Sequence, residues 1–274
     1  MNAGLFLMRM KFPLYILIVS SFFTYSKNIY SQEKILEVGE VLVYEVYYGF
    51  IKLGKVDFSV TDTYTEDNKK YYTAIAKIKS YEGVPFVELN YIFSTVMNLD
   101  KKEINTTKFY STEFKKKSIT NIIYDFDYTG GEILIEKETD GNIELESKVT
   151  IPENKKYQDG LSLFYNARMQ SFENKNYNIP VFINEKDSYV KYSFNLLPDE
   201  ITIDKFDYDV AVVKIAGSAG FTGVFGLTGE FAAFLSADEY RIPIKAQFNV
   251  LIGSVTLELI EYKRKNWVAP RFTN

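Results

Sequence analysis

Apolar and polar residues alternate along most of the chain, and the pattern is clearest over residues 241–262. Its first half places an apolar side chain at every second position. A period of two is that of a half-buried β-strand. Gly253 and Ser254 follow as a two-residue loop, with glycine where a type II′ turn needs a positive φ. The pattern therefore predicts a hairpin with three apolar pairs on one face: Ile252 with Val255, Val250 with Leu257, and Phe248 with Leu259.

The same alternation predicts strands N-terminal to this hairpin. Turn signals such as Thr129-Gly130-Gly131 and Asp140-Gly141 separate them. The candidates are a hairpin at 39–62 and strands at 71–80, 91–99, 109–117, 120–128, 132–139, 142–150, 178–183, 188–197, 208–216 and 231–236.

One segment, residues 158–170, has helical spacing instead. Asp159 is a candidate N-cap, because its side chain can accept hydrogen bonds from the first free amides of a helix. Four residues share one face of this helix: Leu161, Phe164, Tyr165 and Arg168. We expect that face to pack on a sheet.

Together these elements predict a mainly β protein. The expected fold is a strongly curved antiparallel sheet or incompletely closed barrel of about ten strands, with one main helix packed against it. No linker and no shift in composition marks a second domain. Residues 32–274 are therefore expected to form a single β-rich domain.

Residues 1–31 are typical of a signal peptide. Arg9 and Lys11 precede an apolar run over 12–23, which is shorter than the ~20 residues that a membrane-spanning helix needs. We expect cleavage within 26–31, which gives a periplasmic protein with no transmembrane span. The alternative is an uncleaved anchor, and a start at Met8 or Met10 would give a more usual signal.

Composition narrows the chemistry. The chain has no Cys and no His, which excludes disulfides, thiol nucleophiles, a Ser-His-Asp triad and His-ligated metals. We expect neither a metal nor a cofactor and no enzymatic activity. An enzyme based on carboxylates such as Glu88, Glu200 and Glu230 is the remaining alternative, although 36 acidic residues make such sets unspecific. The net charge of −4 argues against nucleic acid as a partner.

A glycine recurs at every third position from Gly217 to Gly229. Four apolar residues between these glycines are the candidate ligand-binding residues: Phe221, Val224, Phe225 and Leu227. One interpretation is a mobile apolar loop at a barrel mouth, which gates a ligand or contacts lipid. The alternative is a pair of strand ends with bulges and a turn, where glycine permits close approach of the backbone.

A basic run, Lys115-Lys116-Lys117, is a smaller candidate surface. It is typical of an exposed strand end, and a contact with anionic lipid is the more specific alternative.

Three groups of residues resemble an uncharacterised bacterial envelope family, the domain of unknown function 3108. They are Gly39-Glu40 with Leu42, Tyr44, Val46, Tyr48-Gly49, Ile51 and Gly54; Asp159-Gly160-Leu161-Ser162 with Tyr165 and Arg168; and Ser236, Asp238, Arg241-Ile242-Pro243-Ile244 and Gly253-Ser254 with Leu257 and Tyr262. The resemblance spans most of residues 38–264. It implies a secreted, β-rich domain and supplies no catalytic residues. Ala237 and the long glycine stretch depart from the family pattern.

These observations favour a non-enzymatic periplasmic protein that binds an apolar ligand, a lipid or a lipidated envelope component, in a half-barrel. Half-barrel lipoprotein carriers provide the analogy, which concerns the fold alone. The alternative is a structural or interaction module that docks another envelope protein. Cavity volume separates the two, because small residues at inward positions would leave space. The candidates for such positions are Ala74, Ala76, Ala232, Ala233 and Ala246.

Overall fold

The computed structural model describes residues 34–85, 87–100, 103–250 and 253–273, and the predicted signal peptide lies outside them. Fourteen strands and one α-helix account for most of these residues. The strands are β1 (Val41–Tyr48), β2 (Ile51–Glu66), β3 (Lys69–Ser80), β4 (Asn90–Asp100), β5 (Glu103–Lys115), β6 (Ser118–Asp127), β7 (Glu132–Thr139), β8 (Asn142–Thr150), β9 (Asn176–Ile183), β10 (Lys186–Ile201), β11 (Val210–Ala219), β12 (Gly229–Ser236), β13 (Pro243–Asn249) and β14 (Ser254–Lys263). The helix is α1 (Gly160–Gln170). No helix within these residues is long and apolar enough to cross a membrane.

All fourteen strands belong to one antiparallel sheet that does not close into a barrel. Its order is β8-β7-β6-β5-β4-β3-β2-β1-β14-β13-β12-β11-β10-β9, so β8 and β9 form the two edges. The prediction of an open, curved antiparallel sheet with one helix is confirmed. The expected number of about ten strands was too low. The candidate segments, with each hairpin counted as two strands, already number fourteen, which is the number observed.

The hairpin of β13 and β14 exists, but its predicted register was wrong. Phe248 pairs with Val255 rather than with Leu259, and Asn249 pairs with Ser254. The Val250 amide donates a hydrogen bond to the Gly253 carbonyl at 3.2 Å, so the connection is longer than a two-residue turn. Ile252, the predicted partner of Val255, lies outside the described residues.

Seven of the connections between consecutive strands lie at the same end of the sheet, which we call the loop end. The register of the strands places there the connections β1–β2, β3–β4, β5–β6, β7–β8, β9–β10, β11–β12 and β13–β14. The long connection that contains α1 belongs to the opposite end. The two ends of the half-barrel therefore differ in what covers them.

Helix α1 begins where the sequence predicts. The Asp159 carboxylate accepts hydrogen bonds from the amides of Leu161 at 2.7 Å and Ser162 at 3.0 Å, and the Ser162 hydroxyl accepts from the Asp159 amide at 2.9 Å. This reciprocal arrangement is a capping box. The other Asp159 oxygen accepts from the hydroxyls of Thr95 and Thr106, at 2.6 and 2.7 Å, and so joins the helix start to β4 and β5.

Helix α1 lies against the inner face of the sheet and is packed on several sides. Leu161, Tyr165 and Met169 belong to a buried cluster with β2, β3, β4 and β5. Leu163 and Ala167 pack against a second cluster from β9, β10, β11 and β12. The helix therefore occupies part of the concave space that a hollow barrel would leave open.

The segment before α1 connects two distant strands. The Thr106 amide on β5 donates to the Tyr157 carbonyl at 2.9 Å. On the other side, the Gln158 amide donates to Pro180 at 3.1 Å and its carbonyl accepts from Phe182 at 2.9 Å, both on β9. This segment therefore joins β5 to β9 through backbone hydrogen bonds, a junction that we call the seam. Strands β6, β7 and β8 extend beyond it.

The residues that carry the family resemblance meet in buried polar contacts. Glu40 pairs with Arg168 of α1 and with Arg264, at 2.6 and 2.5 Å, and all three side chains are buried. Asp238 accepts hydrogen bonds from the amides of Tyr240 and Arg241 at 2.9 and 3.1 Å, which shapes the turn before β13. These motif residues hold elements together and form no accessible chemical site.

Candidate functional site

An apolar cluster lies on the inner face at the loop end. Its buried members are Val46, Leu53, Val56, Ile78 and Val255, from β1, β2, β3 and β14. Half-buried residues from three connections pack against it, namely Val84, Val87, Val224, Phe225, Leu227 and Val250. The connections β3–β4, β11–β12 and β13–β14 thus supply the apolar cover of this end.

The predicted ligand-binding residues divide between two walls of the half-barrel. Val224, Phe225 and Leu227 pack on the loop-end cluster, and all three are half-buried. Phe221 is also half-buried, but it packs against the cluster formed by β9, β10, β11 and β12. The structure therefore brings three of the four together and places the fourth on the neighbouring wall.

The backbone of the β11–β12 connection is a compact turn. Val224–Gly226 forms one turn of 3-10 helix, and the Gly223 amide donates to the Leu227 carbonyl at 2.8 Å. Phe225 lies in the left-handed region with φ 59°. A non-glycine residue rarely adopts this conformation, which costs free energy unless surrounding contacts hold it. The packing of Phe225 on the loop-end cluster provides such contacts.

The glycines of this region have separate roles. At Gly217, a Cβ atom would lie 2.1 Å from the Lys191 carbonyl oxygen and 2.7 Å from Cβ of Tyr192, so only glycine fits between β10 and β12. Gly226 and Gly229 have positive φ values of 73° and 63°. Close approach and turn geometry thus explain these three glycines, as the second interpretation of the sequence predicts.

A strip of aromatic rings crosses the inner face from the loop end. Consecutive ring centroids of Tyr91, Phe93, Phe109, Tyr124 and Phe182 lie 5.5, 5.6, 5.5 and 5.3 Å apart. The first three rings are half-buried, and the last two are buried. Sequence reasoning missed this strip. The aromatic residues at alternate positions of the predicted strands 91–99 and 109–117 could have indicated part of it.

The opposing wall combines aromatic and small side chains. Phe231 and Phe248 stack with centroids 5.7 Å apart, and both are half-buried. Ala233 and Ala246 are paired in the next inward row of the sheet. Ala74 and Ala76 also face inward but are fully covered, because α1 packs over them. The inward alanines of β3 therefore accommodate the helix, and those of β12 and β13 form a row of small, half-buried side chains beside the two stacked rings.

One polar pair borders the aromatic strip. The Tyr91 hydroxyl donates to the Glu113 carboxylate at 2.5 Å. Burial alone would raise the pKa of Glu113, but hydrogen bonds from Tyr91 and Lys115 outweigh burial and lower that pKa. Burial and the bond to Glu113 raise the pKa of Tyr91. At neutral pH the inner face thus carries one carboxylate beside otherwise apolar rings.

A groove of about 670 Å³ lies elsewhere, across β9, β10, β11 and β12. Most of its lining side chains are polar or small and point to the outer face, since their neighbours Tyr177 and Tyr192 point inward to Gln170 of α1. This outer groove is open and has none of the predicted ligand-binding residues in its lining. It includes Phe231 of the opposing wall and is otherwise separate from the apolar site.

No acidic cluster suited to a metal ion occurs among the described residues. The three carboxylates considered for catalysis are exposed and lie on separate elements. Glu88 pairs with Lys116 at 3.6 Å, Glu200 belongs to β10, and Glu230 borders the outer groove. Their arrangement provides no paired acid and base at an enclosed site.

The fold and this site define an open, half-barrel β protein with an apolar loop end. The model of the family described as "Protein of unknown function (DUF3108)" matches residues 43–260, and the chain belongs to that family. This confirms the resemblance seen in the sequence. A search of curated proteins finds no match.

The chain is similar to several solved structures, and the one from Brucella abortus supports the fold. A β-barrel-like protein of domain of unknown function DUF1849 from Brucella abortus is similar with a TM-score of 0.53 and 9% identity, over 84% of this chain and 99% of that one. An exported protein with a YmcC-like fold from Bacteroides fragilis has a TM-score of 0.33 and 8% identity, over 83% and 96% of the two chains. LprF from Mycobacterium bovis has a TM-score of 0.29 and 10% identity, over 90% and 95%.

Proposed function

We propose that this protein is a non-enzymatic protein of the bacterial envelope that binds an apolar ligand on its inner face at the loop end. A lipid or a lipidated envelope component has the required chemistry. The N-terminal signal pattern supports a periplasmic location. Absence of His and Cys from the chain supports a binding role rather than catalysis.

One observation carries this proposal: the inner face is unequally covered. Side chains beneath α1, such as Ala74, Ala76 and Met97, are almost completely buried. Toward the loop end, Phe93, Phe109, Phe231 and Phe248 remain half-buried although they point inward. An acyl chain laid between the two aromatic walls would remove this apolar surface from water, which is favourable at about 25 cal/mol per Å².

The β11–β12 connection supplies the cover of the site in this proposal. Val224, Phe225 and Leu227 contact the ligand from the loop end, and Phe221 contacts it from the neighbouring wall. The carboxylate of Glu113, held by Tyr91, lies beside the strip and interacts with a polar group of the ligand. The ligand would therefore be amphipathic, with its apolar part toward the rings.

A fluorescent fatty acid tests the proposal by equilibrium titration. Phe225→Asn removes the ring while keeping a residue that tolerates a left-handed backbone. We expect the dissociation constant to rise about tenfold, which corresponds to ~1.4 kcal/mol of lost contact. Phe221→Ser should weaken binding as well. Leu197→Ser, at an exposed site of β10, is the matched control and should bind as the unaltered protein does. Equal affinity in all four proteins would contradict the proposal.

The alternative function, docking of another envelope protein, is favoured by the edge strand β8. This strand lies beyond the seam, it forms one edge of the sheet, and its Ile143 side chain is 59% exposed. Exposed edges can pair with a strand from another chain. Ile143→Lys would weaken such pairing and leave fatty-acid binding unchanged, so the two functions respond to different substitutions.

A further inference from the structure

The turn between β1 and β2 presents apolar side chains to solvent. Phe50 is 95% exposed, and its neighbours Tyr48 and Ile51 are 37% and 43% exposed. Three adjacent exposed apolar residues at one turn are unusual, because isolated exposed apolar residues are the norm on soluble proteins. This turn lies at the loop end, where the strands register with the β13–β14 hairpin.

The turn is held in place and does not rely on Phe50 for its structure. Gly49 adopts φ 57°, which fixes the direction of the chain. A Cβ atom on Gly253 would lie 3.1 Å from the Tyr48 hydroxyl, so the Tyr48 ring rests against the neighbouring hairpin. The Phe50 side chain therefore projects from a supported turn.

Lysines surround this turn. Lys52 and Lys55 follow it on β2, and Lys77 and Lys79 lie beside them on β3, where Lys55 pairs with Lys79 in the register. Lys52 and Lys55 have acidic partners, Glu45 and Glu261. Lys77 and Lys79 are exposed and have no ion pair among the described residues.

The β5–β6 turn adds a second basic group at the same end. Lys115 and Lys116 pair with Glu113 and Glu88, at 2.9 and 3.6 Å. Lys117 is exposed and has no ion pair within the described part of the chain. The loop end thus combines a projecting aromatic side chain with three exposed lysines that form no salt bridge within the described part of the chain. One of them, Lys77, lies opposite Asp57 in the register, and the other two are Lys79 and Lys117.

We propose that the loop end docks on an anionic lipid bilayer, with Phe50 inserted at the level of the headgroups and Lys77, Lys79 and Lys117 in contact with lipid phosphates. Aromatic side chains favour the boundary between water and hydrocarbon, and lysines near the surface add attraction to anionic lipids. The apolar turn is too small to form a stable protein interface, which buries ~800 Å² on each partner. A bilayer requires only that a few side chains be immersed.

This docking is independent of the apolar ligand. It concerns the outside of the β1–β2 turn, whereas the ligand site lies on the inner face. If both proposals hold, a docked protein presents its apolar opening to the bilayer from which a lipid would enter or leave.

Sedimentation with vesicles tests the docking directly. The exported protein is mixed with vesicles of phosphatidylethanolamine and phosphatidylglycerol, and the bound fraction is measured against lipid concentration. Phe50→Ser should reduce the partition coefficient about tenfold. Leu197→Ser, which removes a side chain that is 73% exposed on β10, should have no effect. Any contribution of residues 1–33 is common to all variants and cannot produce this difference.

Two further variants complete the test. Lys77→Gln combined with Lys79→Gln should reduce binding to the anionic vesicles and leave binding to phosphatidylcholine vesicles unchanged. Phe50→Trp should show a blue-shifted emission when anionic vesicles are added, beyond any change of the buried Trp267 in the unaltered protein. Failure of the unaltered protein to sediment with vesicles, or equal sedimentation of Phe50→Ser, would overturn the proposal. Loss of ligand affinity in Phe225→Asn with vesicle binding intact would separate the two sites.

Discussion

Glu40 and Arg168 form a bidentate ion pair across 128 residues of sequence, with distances of 2.6 and 3.0 Å between their oxygen and nitrogen atoms. Arg168 belongs to α1, and Glu40 immediately precedes β1. Arg264, which follows β14, reaches the same carboxylate at 2.5 Å. The pair therefore ties the helix to the centre of the sheet, where the first and last strands meet.

Neutralising Glu40 should destabilise the fold strongly. Glu40→Gln leaves the buried guanidinium of Arg168 without a counter-charge and leaves Arg264 with Glu37 alone, at 3.2 Å. The free energy of unfolding should fall by about 3–5 kcal/mol. Urea denaturation followed by circular dichroism measures the change. The control Glu144→Gln removes an exposed partner of Lys137 and should change the stability little. Similar stabilities for Glu40→Gln and the control would show that the buried pair does not hold the helix.

Removing the helix cap should have a second, separable effect. Asp159→Ala leaves two helix amides and two threonine hydroxyls without their acceptor. We expect a loss of about 2–4 kcal/mol in the free energy of unfolding. Asp159→Asn retains an oxygen acceptor for the cap and should cost less. If Asn and Ala have the same effect, capping is not the source of the stability.

Local signals made the helix predictable, and long-range contacts remained hidden. The N-cap at Asp159 depends on residues within three positions, so the sequence indicates it correctly. The contacts of Glu40 depend on residues 128 and 224 positions away, which no local pattern reveals. The aromatic strip from Tyr91 to Phe182 was likewise missed. Alternation indicates the inward residues of each strand, but it does not indicate that Phe182 of β9 lies beside Tyr124 of β6.

The wrong register of the β13–β14 hairpin has a simple cause. Phe248 faces the inside whether it pairs with Leu259, as predicted, or with Val255, as observed. The two registers differ by an even number of residues and keep the same side chains on the inner face. Alternation therefore predicted correctly which side chains face inward. The length of the connection, which alternation does not predict, determined the register.

The glycine run makes a prediction about close packing. Gly217→Ala places a methyl group 2.1 Å from the Lys191 carbonyl oxygen, and the strands must separate to accept it. We expect the free energy of unfolding to fall by about 1–3 kcal/mol. At Gly223 the nearest atom would lie at 3.5 Å, so Gly223→Ala should be nearly neutral. Thermal unfolding of both variants distinguishes the positions, and equal losses would contradict the explanation.

We expect the protein to lose stability at alkaline pH, because some of its tyrosines are buried. Burial raises the pKa of Tyr124 and Tyr177 to about 12, above the ~10 of an unfolded chain. Because the folded state keeps these hydroxyls protonated, their contribution to stability is complete below pH ~10 and is lost as the pH rises toward 12.

Absorbance of tyrosinate and circular dichroism, measured together against pH, test this expectation. The exposed tyrosines should ionise while the protein is still folded. The buried tyrosines should ionise only when the protein unfolds. In urea all of them should titrate together near pH ~10. A native protein in which every tyrosine titrates near that pH would refute the assignment of Tyr124 and Tyr177 as buried.

The binding of an apolar ligand is tested most directly by native mass spectrometry of the exported protein, purified without detergent and then extracted with organic solvent. We expect a reproducible additional mass that moves to the solvent phase as lipid and is reduced in Phe225→Asn. A protein that has only its own mass, and still has only that mass after incubation with envelope lipids, would contradict it.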